Sequence, residues 1–240
     1  MVDIYHLIID MSTLQQSCNM GTPKNTLPIV ILGCGGHGRV VADILRVAQR
    51  PVAGFLDDRP PASLVDGIPV VGDSRCLVET DFLRTYAVIV AVGDQKLRRH
   101  FASLVIERGG HLGIAIHVKA VVARDVAIGG GSVVMAGAVI NTGSRIGRFA
   151  IVNTGAVLDH DNLMEDSVHI GPGCSLAGNV VCGADAFVGT GASVIPGIRI
   201  GARAVVGAGA AVISDVPPDT LVVGCPAVVK KLYSRSGPAA

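Results

Sequence analysis

The chain has 240 residues, a net charge of +1 and an aromatic content of 3%, with no Trp. Scattered Lys and Arg with so little net charge argue against nucleic acid as a partner, and so few aromatics leave little to stack bases on. Half of the residues are hydrophobic, yet no run of eighteen apolar residues occurs, so no transmembrane helix is expected.

Residues 1–26 begin MVDIYHLIID, which lacks a basic n-region and carries Asp3 and Asp10, so they do not read as a signal peptide. They match neither of the two larger segments of the chain and are expected to be a disordered or mis-called leader, with Met11 and Met20 as other starts. Six Cys occur without metal-ligand spacing, and reduced thiols suggest the cytoplasm.

Residues 27–113 alternate strand and helix patterns, which implies a small Rossmann-like parallel sheet. Pro28 to Leu32 reads as a strand running into Gly33-Cys34-Gly35-Gly36-His37-Gly38. A helical pattern comes next, through Val40, Val41, Ile44, Leu45 and Ala48. Val52 to Leu56 is the second strand and ends in Asp57-Asp58. Ile68 to Val71 reads as a short strand, Cys76 to Leu83 as a helix, Ala87 to Val92 as a strand, Gly93 as a turn and Asp94 to Arg108 as a helix. Leu112 to Ile116 leads into the next region. Gly33-x-Gly35-x-x-Gly38 fits the dinucleotide fingerprint, and Asp57 stands near the ribose-binding acid. Against NAD, this segment has room for only four or five strands where the two-halved dinucleotide fold needs about six. The turn still bares N–H groups at a helix start, where the diphosphate of another nucleotide would bind.

From Val122 to Pro217 sixteen hexapeptides run without a break, each led by an apolar residue. With half the chain hydrophobic, chance would give such a run about once in ten thousand trials. Seven leads are followed by Gly, and the fifth position is mostly small, as at Ser132, Ala138, Ser144, Ala150, Ala156 and Cys174. This is the hexapeptide period of a parallel β-helix, expected over residues 114–217, with a C-terminal strand and tail in 218–240. Three hexapeptides make one triangular coil, so residues 18 apart stack. Cys174 and Cys182 then read as packing residues.

Most outward positions of the repeat are Gly, Ala, Ser, Thr or Asn. The exceptions are Leu158-Asp159-His160-Asp161-Asn162 and Val168-His169-Ile170. His160 takes an outward third position, Asp161 adjoins it, and Gly178 stands one coil above. A base beside a backbone donor is the minimum kit for acyl transfer. His169 comes half a coil later and so belongs to another face, roughly 15–20 Å away along the chain's strands. The two histidines meet only if a site forms between subunits. Two His without a third ligand do not make a catalytic zinc site.

The GCGGHG turn, FLDD, AVGDQKLRR, VNTGAVLDHDN, VHIGPG and VVGCPAVVKKL together resemble the nucleotide-sugar N-acetyltransferases. Those hexapeptide-repeat enzymes acetylate UDP- or GDP-linked 4-amino sugars, and sialic acid O-acetyltransferases are closely similar. The resemblance spans about residues 28 to 232. It implies a left-handed β-helix, a homotrimer, acetyl-CoA bound between subunits, and a place in glycan biosynthesis such as that of O-antigen. It also implies His160 as general base, Asp161 as its acidic partner and Asn153 as an active-site residue. His169, Gly178, Thr190 and Ala208 would contact CoA, and Gly35, Gly36, His37, Asp57, Asp58 and Gly93 the nucleotide-sugar. Met164-Glu165 departs from the Ile-Gly common in the family, which puts acceptor access there in question. The implied alternative is O-acetylation of a sialic-acid-type sugar; an NAD-linked oxidoreductase and a non-catalytic scaffold are the further readings.

Overall fold

The computed structural model describes residues 27–232, so the leader expected over 1–26 and the final residues 233–240 lie outside it. The first part runs β1 (Ile29–Leu32), α1 (Gly36–Val47), β2 (Val52–Leu56), β3 (Leu64–Val65) and β4 (Ile68–Gly72). Then come a 3-10 turn at Ser74–Val78, α2 (Thr80–Thr85), β5 (Ala87–Val90), α3 (Gln95–Glu107) and β6 (His111–Leu112). The sheet order is β3-β4-β2-β1-β5-β6, and only the β3–β4 pair is antiparallel. β1 is fully buried because Ile29, Val30, Ile31 and Leu32 are apolar on both faces, as a central parallel strand requires.

The chain turns to opposite sides after β1 and after β5, so the ends of these two strands frame the crevice where open α/β sheets bind ligands. The glycine turn and Gly93 both lie there.

Three expectations need correction. The sheet has six strands rather than four or five, because two of them are two-residue edges. The helix expected over Cys76 to Leu83 is two pieces, since Glu79 is extended at φ −88° and ψ 112°. Leu112 to Ile116 splits at Gly113. β6 closes the first sheet, and Ala115–Ile116 begins the β-helix.

From there each coil contributes three two-residue strands to three parallel sheets, and Cα partners are 18 residues apart, as in Val157↔Ser175 and Leu158↔Leu176. The coils form a left-handed parallel β-helix. Every lead from Val134 to Val212 is buried, and so are the small fifth positions. Cys174 and Cys182 fill this interior, where burial pushes both thiols up. The first face, through Ala115, Val133, Ile151, His169, Phe187 and Val205, is extended by Thr220–Val223 and the antiparallel Val228–Leu232.

The two parts share a core. Val41, Ala42, Ile44 and Leu45 of α1 pack with Ala115, Val133, Met135 and Ile151 of the first face. Polar groups complete the junction. Gln95 Nε2 donates to the Ser167 carbonyl at 3.0 Å, and Arg99 pairs with Asp185 at 2.8 Å. The Arg98 guanidinium, 1% exposed, donates to the carbonyls of Phe149, Val92, Gly93 and Ser167 at 3.1 to 3.3 Å.

Candidate active site

The turn that carries His160 comes directly after Leu158, which is buried as a lead and fixes the depth of the coil. Asp161 takes a left-handed φ of 59°, which reverses the chain tightly enough to leave His160 on the outside. Asp161 Oδ2 lies 2.8 Å from His160 Nδ1. A carboxylate only accepts, so Nδ1 carries the proton and Nε2 presents a lone pair. The hydrogen bond to Asp161, with the Asp159 and Asp161 charges, raises the His160 pKa above its ordinary value. Asp159 Oδ1 accepts from the His160 N–H at 2.9 Å and from Asn141 Nδ2 at 3.0 Å, bracing the turn from the coil below.

Gly178 lies against the imidazole. A Cβ there would meet His160 Cε1 at 2.5 Å and Nε2 at 2.6 Å, so only glycine lets the ring lie in this position. The repeat register alone places this pair together, as the sequence indicates.

A second group gathers at the junction of the two parts. Asn153 Nδ2 lies 3.2 Å from His169 Nε2, and the His169 ring meets Phe187 edge-on at 5.0 Å. Burial, with the Arg98 charge and His37 nearby, lowers His169 to about 4. Burial and Arg98 likewise lower His37 to about 4, and its Nε2 is buried with no partner among the described residues. Both imidazoles are therefore neutral at pH 7. His37, His169 and Asn153 share this side of the molecule, whereas His160 sits at the corner after the second face. Thr190 and Ala208 are exposed third-position residues one coil apart, at the corner after the first face.

At the glycine turn, Gly33 has φ 100° and a Cβ there would press on the Ala91 carbonyl at 2.8 Å, while a Cβ on Gly38 would overlap the Gly33 carbonyl. These two glycines close the turn. Gly35 and Gly36 face open space, and no side chain caps the helix that starts there. The free N–H groups suit an anion. Asp57 does not point at this opening: its Oδ2 accepts from the Cys34 N–H at 2.9 Å and from the Cys34 thiol at 3.1 Å, and its Oδ1 from the Arg59 N–H. Asp58 Oδ1 accepts from the Ser74 N–H at 2.8 Å. Both acids hold the loop wall. The Gly93 carbonyl accepts from Arg98 Nη1 at 3.3 Å. A cleft of about 380 Å³ opens beside the turn, between Gly35, Gly36 and Arg39 on one side and Pro61, Leu64 and Asp66 on the other. Neither His160 nor His169 lines it.

Glu165, the departure from the family pattern, accepts from the Ala184 N–H at 2.8 Å and so braces the coil above it. Sequence reasoning passed over Arg98 and Asp159. The signal for Arg98 was its spacing with Ala102 and Val105 on one buried helix face. For Asp159 it was Asn141, 18 residues earlier.

Residues 28–105 match the PglD N-terminal domain. The structure is similar to that of a histidine-to-asparagine variant of perosamine N-acetyltransferase from Caulobacter crescentus in complex with CoA and GDP-perosamine. The two are 43% identical, with a TM-score of 0.80, over 85% of this chain and 97% of that one. It is also similar to the acetyltransferase domain of PglB from Neisseria gonorrhoeae FA1090 in complex with acetyl coenzyme A, at 38% identity and a TM-score of 0.81, covering 85% and 98%. WeeI from Acinetobacter baumannii AYE matches at 26% identity with a TM-score of 0.74, covering 85% and 100%. With a matching first domain, a hexapeptide β-helix and such identity over nearly the whole of these relatives, the chain belongs to the nucleotide-sugar N-acetyltransferases of the hexapeptide-repeat family.

Proposed function

We propose that the protein transfers an acetyl group from acetyl-CoA to the amine of a nucleotide-linked 4-amino-4,6-dideoxy sugar, with His160 as general base. The observation that carries this is the His160–Asp161 pair at 2.8 Å with its ring fitted against Gly178. The neutral amine attacks the thioester carbonyl, forming the C–N bond. His160 Nε2 takes the proton from the nitrogen. The negative charge that develops on the carbonyl oxygen is met by the Gly178 N–H. The intermediate then collapses, the C–S bond breaks, and the proton passes to the departing CoA sulfur. Asp161 steadies the imidazolium between these steps.

The nucleotide diphosphate sits at the uncapped N–H groups of Gly35, Gly36 and His37, with Gly93 across the crevice. Asp57 and Asp58 serve this site by holding the loop. Similarity to the GDP-perosamine complex favours a GDP-linked sugar. Neutral His37 and His169, with Asn153, face the sugar and the pantetheine arm, and Thr190 and Ala208 offer backbone contacts further along CoA.

His37 and His169 lie on one side of the chain and His160 at another corner, so one complete site takes His160 from a neighbouring subunit. The second face supports that reading: Val121 is 63% exposed and Val157 36%, an apolar stripe that a homotrimer would cover. Use of acetyl-CoA suits a cytoplasmic enzyme.

The test is turnover of a panel of GDP- and UDP-linked amino sugars with acetyl-CoA, followed by thiol release, for wild type and His160→Ala. We expect the variant to lose at least about 100-fold in kcat while folding normally. Near-normal turnover by His160→Ala would overturn the base assignment. Acetylation of hydroxyl sugars alone would replace N- by O-transfer.

A further inference from the structure

Asn162 stands at a fifth position of the repeat, where the interior elsewhere holds Ala, Ser, Cys, Val or Ile. It is 1% exposed, and its amide is fully engaged. Nδ2 donates to the Asp159 carbonyl at 2.6 Å and to the Ala177 carbonyl at 3.1 Å. Oδ1 accepts from the Val180 N–H at 3.0 Å. The backbone N–H of Asn162 donates to Ser144 Oγ at 3.2 Å, and that hydroxyl donates to the same Asp159 carbonyl at 3.0 Å.

Many turns of the β-helix close on their own backbone. The Ala192 N–H donates to the Gly189 carbonyl at 3.1 Å, and the Ala156 N–H to the Asn153 carbonyl at 3.1 Å. The turns Asp159–Asn162 and Ala177–Val180 lack that bond, as do 141–144 and 195–198 at the same corner; what sets the first two apart is a buried amide between them. In Ala177–Val180 the Asn162 amide replaces it, bonding both the carbonyl and the N–H; in Asp159–Asn162 the Ser144 hydroxyl bridges the two groups and Asn162 Nδ2 adds a second donor to the carbonyl. These are the turns that carry His160 and Gly178.

The direction of the Ala177 carbonyl decides what this does. In a trans peptide the C=O and the next N–H point opposite ways. Asn162 draws the Ala177 carbonyl inward, so the Gly178 N–H is aimed outward, on the side of the His160 ring. The same amide holds the Asp159 carbonyl inward, and thereby the peptide from which His160 projects.

We propose that Asn162 is a positioning residue that, from inside the β-helix, sets the base-bearing turn and the Gly178 N–H in register with each other. The inference rests on the assignment of His160 as base and Gly178 as donor. Asn162 touches no substrate. It acts only through the two turns, and it does so by a bond pattern that a small apolar fifth residue cannot make.

The experiment compares Asn162→Val, Asn162→Ser and Ser132→Ala in the full-length protein. Ser132 makes the matching bonds at a corner without reactive groups: Oγ donates to the Gly147 carbonyl at 2.8 Å and accepts from the Ala150 N–H at 3.0 Å. Asn162→Val is expected to lower kcat by about 10- to 100-fold, short of or equal to losing an oxyanion donor, with KM for both substrates within about two-fold. Ser132→Ala should leave kcat within about two-fold at a comparable fall in Tm. Asn162→Ser, able to bond Ala177 and Val180 as Ser132 bonds its own neighbours, should retain kcat within about five-fold. Should Asn162→Val not fold, an Asn162→Ser variant that folds yet loses more than about ten-fold in kcat would overturn the proposal. So would Asn162→Val with wild-type kcat, or equal losses in Asn162→Val and Ser132→Ala. His160→Ala measured alongside keeps the two ideas apart. If it turns over normally, the base assignment has failed. If it is inactive while Asn162→Val is not, only the positioning role has.

Discussion

Acidification should loosen the junction between the two parts of the chain before the carboxylates titrate. His37 and His169 are both half-buried and neutral at pH 7, each lowered to about 4 from 6.5. In the unfolded chain they take up protons below pH 6.5. The unfolded state therefore binds more protons between pH 6.5 and 4, and native stability falls as the pH falls through that window. At pH 5, 1.5 units below the unfolded value, each histidine costs about 2 kcal/mol relative to neutral pH, at about 1.4 kcal/mol per unit. His160 works in the other sense. Its pKa is raised, so it adds stability at acid pH that is lost as pH rises through its folded value. Urea unfolding at pH 7 and pH 5, at one fixed protein concentration, reads the effect. His37→Gln and His169→Gln should each remove about 2 kcal/mol of the wild-type difference between the two pH values, whatever their own cost at pH 7. A pH 7-to-5 difference that is the same in wild type and both variants would refute the reasoning.

Gly178→Ala should fold, because the flexible His160 ring can swing away from a Cβ that would lie 2.5 Å from Cε1, but the base leaves its place and kcat falls on the order of 100-fold. Asp161→Asn removes the group that raises the His160 pKa, so the acidic limb of kcat/KM moves to lower pH while the plateau drops at least about ten-fold; an unmoved limb would exclude the pair as the source of that limb. Arg98→Met strips donors from four carbonyls at once and should cost about 3–5 kcal/mol of stability in urea unfolding, with only a small change expected if those carbonyls find other donors.

The hexapeptide register carried the β-helix because one fixed period dictates which residues stack. It also placed Gly178 over His160 without any knowledge of coordinates. Features that depend on a few residues were harder to see. Leu64–Val65 is too short for a periodic signal, though Asp66-Gly67, at φ 50° and 77°, is the hairpin turn that betrays it. The apolar pattern of Cys76 to Leu83 suits a helix, but the Asp73 side chain caps a 3-10 turn at Arg75 and the chain restarts at Thr80. Asp57 sits where a ribose acid belongs in the fingerprint, yet Cys34 turns its carboxylate inward, and the fingerprint leaves the residue after its first glycine unspecified. Asn162 reads as one more residue in a fifth position, since periodicity records size and polarity but not which carbonyls an amide can reach.

The continuous core of α1 and the first face, pinned by Arg98, leaves no hinge between the sheet and the β-helix. The molecule is built as a caliper. The span from the glycine turn to His169 is fixed by packed side chains, so under the proposed binding mode selection among acceptors would become a matter of length. With the diphosphate at the glycine turn, as proposed, the same sugar on a single phosphate would be expected to arrive short, with no domain closure to make up the difference.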